Sequence, residues 1–355
     1  MTVTETPTGL PVSWGLAVAT GSRLVPPGPA VGPDEARAEV ARLADGARVG
    51  EGHVRELTGL GTGLAIPDAA VVDRPGWIAS GVEGIRTLTA DVSLPTAARG
   101  RAGLLARTAG TVTATVAGAQ MGTLLAFLST KVLGQYDPFA GPDNAGHLLL
   151  VAPNVTAARE ALDVDADDFA LWVCVHEATH RLQFTAVPWL RDHFRSEVTA
   201  FASGMESGVS AALDRLPDIT KAVRNRSDLS LLELLQGPEQ GAILDRLLAL
   251  TTLLEGHAEH VMDEVGPAVI PSVATIRGRF TSRRRGGGPV DRLLRVLLGV
   301  QAKVKQYEQG RVFVDEVVGT IGMDGFNAVW TSPETLPHRS EITDPSAWMD
   351  RVHGS

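Results

Sequence analysis

This chain of 355 residues contains only one cysteine, and its N-terminal segment shows no secretory pattern. The single cysteine, Cys174, excludes an internal disulfide, so nothing in the sequence indicates an oxidising compartment. The segment Met1–Gly21 contains no basic stretch followed by an apolar core, and no secretory signal is predicted. We therefore expect a cytoplasmic protein in which Cys174 is a small buried core residue.

An excess of positive charge is also missing. Lysine and arginine total 32 against 41 for aspartate and glutamate, which gives a net charge of -9. This charge disfavours binding to nucleic acid or to an anionic membrane. The chain is 44% hydrophobic and 21% charged, as expected of a folded protein with a substantial core. We expect one domain over residues 13–350 after a disordered N-terminus (residues 1–12), with a boundary near residue 140 as the alternative.

One uncharged segment, Thr108–Thr130, is long enough to raise the question of a membrane span. Threonine and serine recur throughout it and Gln120 lies near its middle, which favours a buried core helix over a span. Gly118 and Gly122 lie four residues apart, so they would let a neighbouring helix approach closely. No membrane span is therefore predicted.

The remaining pattern is mostly helical. Asp34–Ala47 begins with acidic residues and continues with apolar residues at helical spacing, which predicts a helix. Two short apolar runs, Ala69–Asp73 and His147–Pro153, are the candidate strands. Arg283–Pro289 contains three consecutive glycines and predicts a loop. These elements predict a mainly α fold with a small β element that directly precedes the helix described next.

The segment Leu171–Phe184, LWVCVHEATHRLQF, places two histidines around a glutamate in an otherwise apolar run. Asp165 is the predicted N-cap of a helix through this segment. Because a helix turns about 100° per residue, His176 and His180 lie on one face, with Glu177 about 100° round from His176. The run is apolar on all sides, so this helix is expected at the centre of the fold.

Two imidazoles one turn apart can each give a nitrogen to one metal ion, and the glutamate between them can act as general base on a zinc-bound water. His176, Glu177 and His180 form this HExxH arrangement of zinc peptidases. The alternative is two hydrogen-bonded core histidines and a buried glutamate paired elsewhere. Burial of all three without a cation would cost on the order of several kcal/mol, which favours the metal site.

A third protein ligand is required, and a long helix predicted between residues 238 and 266 offers it. Glu255 lies within the apolar arc of that helix, where a carboxylate needs a cation or a strong donor. Glu255 is therefore the best third ligand, and Glu259, one turn further, could orient a ligating histidine. His257 and His260 fall on the polar face, which favours solvated histidines over the alternative of metal ligation.

Several stretches of this sequence resemble a known family: LWVCVHEATHRLQFTAVPWLRDHF, VLGQYDPF, LLLVAPN, EGHAEHVMD and VKQYEQGRVFV. The chain resembles the gluzincin branch of zincin metallopeptidases and, more narrowly, the actinobacterial zincin-like metallopeptidase type 2 family, sometimes associated with deazaflavin-coenzyme biosynthesis. The resemblance runs from Trp14 to Trp348 and implies a mostly helical zincin-like fold, one zinc ion and peptide hydrolysis. Two features depart from the commoner gluzincin pattern: Glu255 lies 75 residues beyond His180, and Glu259 stands where aspartate is frequent.

We therefore expect a zinc-dependent hydrolase that cleaves a peptide or protein substrate. His176, His180 and Glu255 would hold one Zn²⁺, and Glu177 would move a proton from water to the leaving amine. The alternative is a non-catalytic zinc scaffold. An open coordination position that faces a cleft would favour the enzyme, whereas a sealed site would favour the scaffold.

Two further residues have open roles. Gln183 lies about 20° from His176 around the helix, so it either faces the site or hydrogen-bonds a neighbour. Tyr307 lies on the apolar stripe of a predicted helix, KVKQYEQGRVFVDEVVG. It is either a core tyrosine or a second donor to the oxyanion that forms during hydrolysis.

Overall fold

The computed structural model describes residues 9–92, 103–142, 145–214, 238–285 and 300–354, and helices dominate these residues. The predicted mainly α fold with a small β element is confirmed. The helices are α1 (Trp14–Leu24), α2 (Pro33–Thr58), α3 (Arg74–Leu88), α4 (Gly103–Leu128), α5 (Ala152–Leu162), α6 (Ala166–Thr185), α7 (Leu190–Asp214), α8 (Pro238–Glu264), α9 (Gly266–Val269), α10 (Val273–Arg285), α11 (Val300–Phe326) and α12 (Pro345–His353). Short 3₁₀ turns cover Asn327–Trp330, Pro333–Thr335 and Glu341–Thr343. The strands are β1 (Ala70–Val72), β2 (Gly134–Asp137) and β3 (His147–Val151).

Two sequence predictions fall partly outside these ranges. Residues 1–8 of the predicted disordered N-terminus and residues 286–289 of the predicted loop are not among the described residues. Arg283–Arg285, the start of that predicted loop, form the end of α10 instead. The single domain over residues 13–350 stays a prediction.

The sheet has the order β1-β3-β2, with β3 in the centre. Leu149 of β3 pairs with Ala70 of parallel β1 and with Gln135 of antiparallel β2. The two predicted strands are confirmed as β1 and β3. The edge strand β2 was not predicted, because its four residues include glycine and aspartate, which have low strand propensity. β2 lies against α6 and so brings the sheet edge to the two histidines.

Helix α6 is central, as its sequence predicts. The side chain of Asp165 accepts hydrogen bonds from the backbone nitrogens of Asp167 and Asp168 at 2.9 and 3.0 Å, which confirms the N-cap. Helix α2 packs along α6, and a Cβ on Gly50 would lie only 3.4 Å from Cβ of Cys174. Cys174 is fully buried at this contact, as predicted.

Three apolar clusters surround this centre. One contains Phe169 and Leu182 of α6 together with residues of α2 and β3. A second, around Phe313 and Trp348, joins α8, α11 and α12. The third, around Ile78, lies between α1, α3, α4 and the sheet. Helix α6 therefore has little freedom to move relative to its neighbours.

Helix α4 differs in part from its prediction. Gly118 and Gly122 do allow a close approach, because a Cβ on Gly118 would collide with the backbone of Ser13, the N-cap of α1, and a Cβ on Gly122 with that of Ala17 in α1. A buried core helix is wrong for Thr108–Thr130, since Val112 and Val116 are 57% and 50% exposed. Among the described elements, α4 packs chiefly against α1 and to a smaller extent against α3. Within the described residues, no helix is long and apolar enough for a membrane span.

Helix α8 lies between α6 and α11, which corrects the prediction for two of its histidines. A Cβ on Gly256 would collide with the backbone of Gly310, so α8 and α11 are in direct backbone contact. His257 and His260 are 0% and 5% exposed and are not solvated as predicted. This polar face of α8 is buried against polar groups of its neighbours: His260 Nδ1 lies 2.7 Å from a carboxylate oxygen of Asp315 on α11.

A buried ion pair between α2 and α6 gives a first testable prediction. The side chains of Glu51 and Arg181 are 1% and 3% exposed, and their charges are in contact. Glu51→Ala is expected to lower the free energy of unfolding by about 3–5 kcal/mol, because it leaves the buried Arg181 guanidinium without a carboxylate and also removes the ion pair of Glu51 with Arg55. Urea denaturation monitored by circular dichroism measures this change. The control is Asp45→Ala, which removes an exposed partner of Arg48 and should cost about 1 kcal/mol or less; equal losses would contradict the prediction.

Candidate metal centre

Helices α6 and α8 bring three metal-type donors together. His176 Nε2 and His180 Nε2 lie 3.1 Å apart, and each lies 3.8 Å from an oxygen of Glu255. A tetrahedral zinc ion with bonds of about 2.0–2.1 Å holds neighbouring ligand atoms about 3.3 Å apart. The two imidazoles and the carboxylate therefore match this spacing to within about 0.5 Å, and they suit zinc in chemistry as well. All three sequence-predicted ligands converge here.

The three donors face an open cleft. The side chains of His176, His180 and Glu255 are 24%, 15% and 34% exposed. They line a cleft of about 520 Å³, within the usual range of about 300–1,000 Å³ for a small-molecule site. Residues of α3, α4, β2, α6, α7 and α8 form its walls. The site is therefore accessible to water and to a ligand.

Glu177 lies in the same cleft, beneath β2. Its carboxylate accepts the backbone N–H of Tyr136, and a Cβ on Gly134 would lie 2.6 Å from its Cγ atom. Burial and then the negative charge of Glu255 raise the pKa of Glu177 to about 8, while the Tyr136 N–H opposes the rise. A cation among the three donors would favour the ionised form of this carboxylate.

Gln183 connects a predicted ligand to the buried face of α8. His180 Nδ1 lies 2.9 Å from Oε1 of Gln183, whose amide nitrogen donates to the Leu254 carbonyl at 2.9 Å and lies 3.1 Å from His257 Nδ1. Burial, followed by the charges of His260 and His180, lowers the pKa of His257 to about 3, so this ring is neutral. A His180 ring that gives its Nε2 lone pair to a metal would carry its proton on Nδ1, where Oε1 of Gln183 can accept it.

This chain of hydrogen bonds yields a second prediction. Gln183→Leu is expected to weaken zinc binding by about 10–100-fold, because the His180 ring loses the group that fixes its tautomer and orientation. Competition against a chromophoric chelator measures the affinity. The matched control is Gln135→Leu, the same change at a cleft residue whose Oε1 accepts from Trp77 Nε1 at 2.9 Å. An equal loss of affinity in both variants would argue against a specific role for Gln183.

The other two predicted site residues are less closely defined. Glu259 is half-buried one turn beyond Glu255, and its backbone carbonyl accepts a hydrogen bond from Arg277 at 3.2 Å. His176 Nδ1, the nitrogen that Glu259 could orient, lies 3.2 Å from Sδ of Met262. Tyr307 belongs to α11, but its side chain is not among those the structure describes.

Gly134 and Tyr136 are the site residues that sequence reasoning missed. They act through the backbone, by letting β2 pass close to Glu177 and by supplying an N–H group to its carboxylate. Glycine inside a strand often marks a close approach of another group, so Gly134 is the local sequence feature that could have indicated one here. The sequence does not show that the approaching group is Glu177, because Glu177 is distant in sequence.

An HExxH helix, a glutamate from a second helix and an adjacent edge strand together define a zincin-type site. The chain belongs to the zincin-like metallopeptidase family, whose profile matches residues 12–349. It is also similar to a protein from Chloroflexus aurantiacus, known from a crystal structure and described as a candidate hydrolase with a novel fold. That likeness has 26% identity and a TM-score of 0.65, and covers 97% of this chain and 99% of the other. No protein of curated function matches the chain. These findings confirm the predicted family and support a zinc-dependent hydrolase in general.

Proposed function

We propose that this protein is a zinc-dependent peptidase in which His176, His180 and Glu255 hold one zinc ion. The observation that carries the proposal is the spacing of the three donor atoms, 3.1 to 3.8 Å, in a cleft that also contains Glu177. Gln183 would fix the orientation of His180 from behind. Glu259 remains the proposed orienting residue on the side of His176.

Zinc, when bound, supplies Lewis-acid chemistry: it polarises a carbonyl oxygen and makes a water molecule more acidic. Glu177 would take the proton from the attacking water and then deliver it to the nitrogen of the leaving amine. Two features prepare Glu177 for this cycle. Burial favours its protonated form, and the Tyr136 N–H favours its carboxylate form, so both states are accessible.

A peptide substrate is favoured by the edge strand. β2 lies at the edge of the sheet in the described residues, and each of its residues, Gly134–Asp137, lines the cleft. An extended peptide can pair with such an edge and so present one peptide bond to the adjacent site. The alternative, a structural zinc site in a scaffold, would need a closed coordination sphere, and the partial exposure of all three donor side chains to the cleft disfavours it.

Tyr307 remains a proposed second donor to the oxyanion. Tyr307→Phe is expected to lower turnover by about 100-fold with zinc content unchanged, which is the usual effect of losing one oxyanion donor. Steady-state kinetics and metal analysis on the same preparation measure both quantities. The control is Tyr136→Phe, since the Tyr136 hydroxyl lies against Gly146 and is not expected to act on substrate. Unchanged turnover in Tyr307→Phe would contradict this role and favour the alternative, a core tyrosine.

The proposed activity is tested by digestion of a broad peptide library. Zinc-loaded protein should cleave a subset of peptides, and removal of zinc by a chelator should stop cleavage until zinc is restored. The same library after exposure to Glu177→Gln controls for contaminating peptidases. No cleavage by the zinc-loaded wild type would contradict the proposal and favour the scaffold.

A further inference from the structure

The walls of the cleft beside the three metal-type donors are largely apolar. Phe139, Phe184 and Phe194 line one part of it, and leucines from α3 and α4 line another. In the described part of the chain, the ionisable residues that line the cleft are Tyr136, Asp137, His176, Glu177, His180 and Glu255. Neither lysine nor arginine is among them. The Asp137 carboxylate accepts the backbone N–H groups of Phe139 and Ala140 at 2.9 and 3.1 Å, so it is engaged within the wall. The lining therefore offers apolar contact and provides no cation for an acidic group.

The aromatic part of the wall is held in a fixed arrangement. The ring of Phe194 contacts Phe139 and Phe184 at centroid distances of 6.1 and 6.2 Å. The guanidinium groups of Arg191 and Arg195 lie 5.6 and 5.3 Å from the Phe139 ring, although neither arginine lines the cleft. Because these rings already pack against one another, they lose little conformational entropy when an apolar group binds against them.

Two glycines on α3 shape the opposite side of the cleft. Trp77, Gly81, Gly84 and Leu88 recur at spacings of four and three residues, so they share one helix face, and all four line the cleft. Gly84 has a packing reason to be glycine, because a Cβ there would collide with the carboxylate of Asp137. The α3 helix thus lies directly against the end of β2 at this point.

Gly81 has no such reason. It is buried within α3 and does not have a positive φ, yet among the described residues a Cβ there would meet no atom within 4 Å apart from the backbone of its own helix turn and its chain neighbours. Glycine inside a helix lowers its stability relative to alanine, and neither backbone strain nor a close neighbour explains the choice here. The missing side chain leaves a depression in the cleft wall, one turn from Trp77 and from Ile85.

We propose that this depression binds a large uncharged apolar side chain, in particular an aromatic one, of the substrate residue next to the cleaved bond. Gly81 is then a specificity-determining residue, because any side chain there would fill the space that the substrate group occupies. The inference rests on the proposed peptidase function for its substrate class. It concerns the shape and chemistry of the cleft and can also be tested without hydrolysis.

The first test compares two substrates. Library digestion by the zinc-loaded, full-length protein identifies the cleavage site, and two fluorogenic peptides are then made that carry phenylalanine or alanine beside that bond. The wild type should cleave the phenylalanine peptide with a kcat/KM at least about 10-fold higher, as apolar pockets discriminate by side-chain size. Cleavage of both peptides at equal rates would overturn the inference and leave the proposed function intact.

The second test fills the depression. Gly81→Leu should remove the preference for phenylalanine while zinc content and thermal stability stay close to those of the wild type. Gly81→Ala should lower the preference for the phenylalanine peptide by a smaller factor. If Gly81→Leu does not fold, Gly81→Ala is used as the test variant. The matched control is Gly52→Leu on α2, where a Cβ also meets nothing within 4 Å among the described residues, but the position is exposed and does not line the cleft. Equal losses for both peptides in Gly81→Leu would contradict a specificity role.

A third test separates this inference from the proposed function. Zinc-loaded protein is titrated with phenylalanine hydroxamate and glycine hydroxamate, which share the metal-chelating group and differ in the apolar side chain. Binding of the phenylalanine compound should be at least about 10-fold tighter, and Gly81→Leu should abolish the difference. If no peptide is cleaved but this difference is found, the proposed function fails and the apolar subsite stands. Equal affinities for both compounds would overturn the subsite.

Discussion

Replacement of Glu177 by glutamine is expected to lower peptide hydrolysis by about 100-fold or more while zinc content and fold are retained. Glutamine has nearly the same shape and can still accept the Tyr136 N–H, so β2 should keep its position over the side chain. The amide cannot take a proton from water, and loss of a general base typically costs a factor of about 10²–10⁴. Steady-state kinetics with a peptide found in the library digest measures the effect.

Two controls accompany this variant. Its zinc content should remain at about one ion per chain, because Glu177 is not assigned to the metal. Its thermal stability should not fall, since a carboxylate that is costly to bury has been replaced by a neutral group. Hydrolysis at the wild-type rate would exclude Glu177 as the base, whatever the zinc content.

The second large effect is expected at the three proposed metal ligands. His176→Ala, His180→Ala and Glu255→Ala should each reduce bound zinc from about one ion per chain to a small fraction, because two remaining ligands do not complete a stable site. Metal analysis after dialysis against a weak chelator gives the stoichiometry. Hydrolysis should be lost in the same three variants.

The matched control for the histidine variants is His338→Ala. This side chain is 67% exposed and does not line the cleft, so zinc content should be unchanged. His257 provides a sharper test of the third ligand, since it is another possible metal ligand, two residues beyond Glu255 on the same helix. Full zinc in Glu255→Ala together with loss of zinc in His257→Ala would show that the carboxylate was wrongly chosen.

Much of the candidate site could be predicted because its information is local. A capping aspartate at residue 165 and the spacing of His176 and His180 predict the helix and the face that the two histidines share within a few turns. Glu255 could be proposed as the third ligand for the same reason, since it interrupts an apolar arc at a position where only a cation or a donor could satisfy it, and the structure places it beside the two histidines. Strand β3 was recognisable as a short run of buried leucines between turn residues.

Contacts between distant segments account for what was missed. His257 and His260 were expected in solvent because polar residues usually mark the outer face of a helix, but α11 covers that face and supplies Asp315. The valines of α4 were expected to be buried and are exposed, since an apolar sequence does not reveal which sides of a helix have a neighbour. Strand β2 has no strong local signal, and its position over Glu177 depends on its pairing with β3.

The most direct test of the zinc site is an anomalous difference map from crystals of the zinc-loaded protein, collected on both sides of the zinc absorption edge. The expected result is one strong peak about 2.0–2.2 Å from His176 Nε2, His180 Nε2 and an oxygen of Glu255, with no fourth protein ligand. A peak ligated by His257 or Cys174, or a fourth protein ligand that closes the site, would contradict the account. The absence of any peak between these three side chains would do so as well.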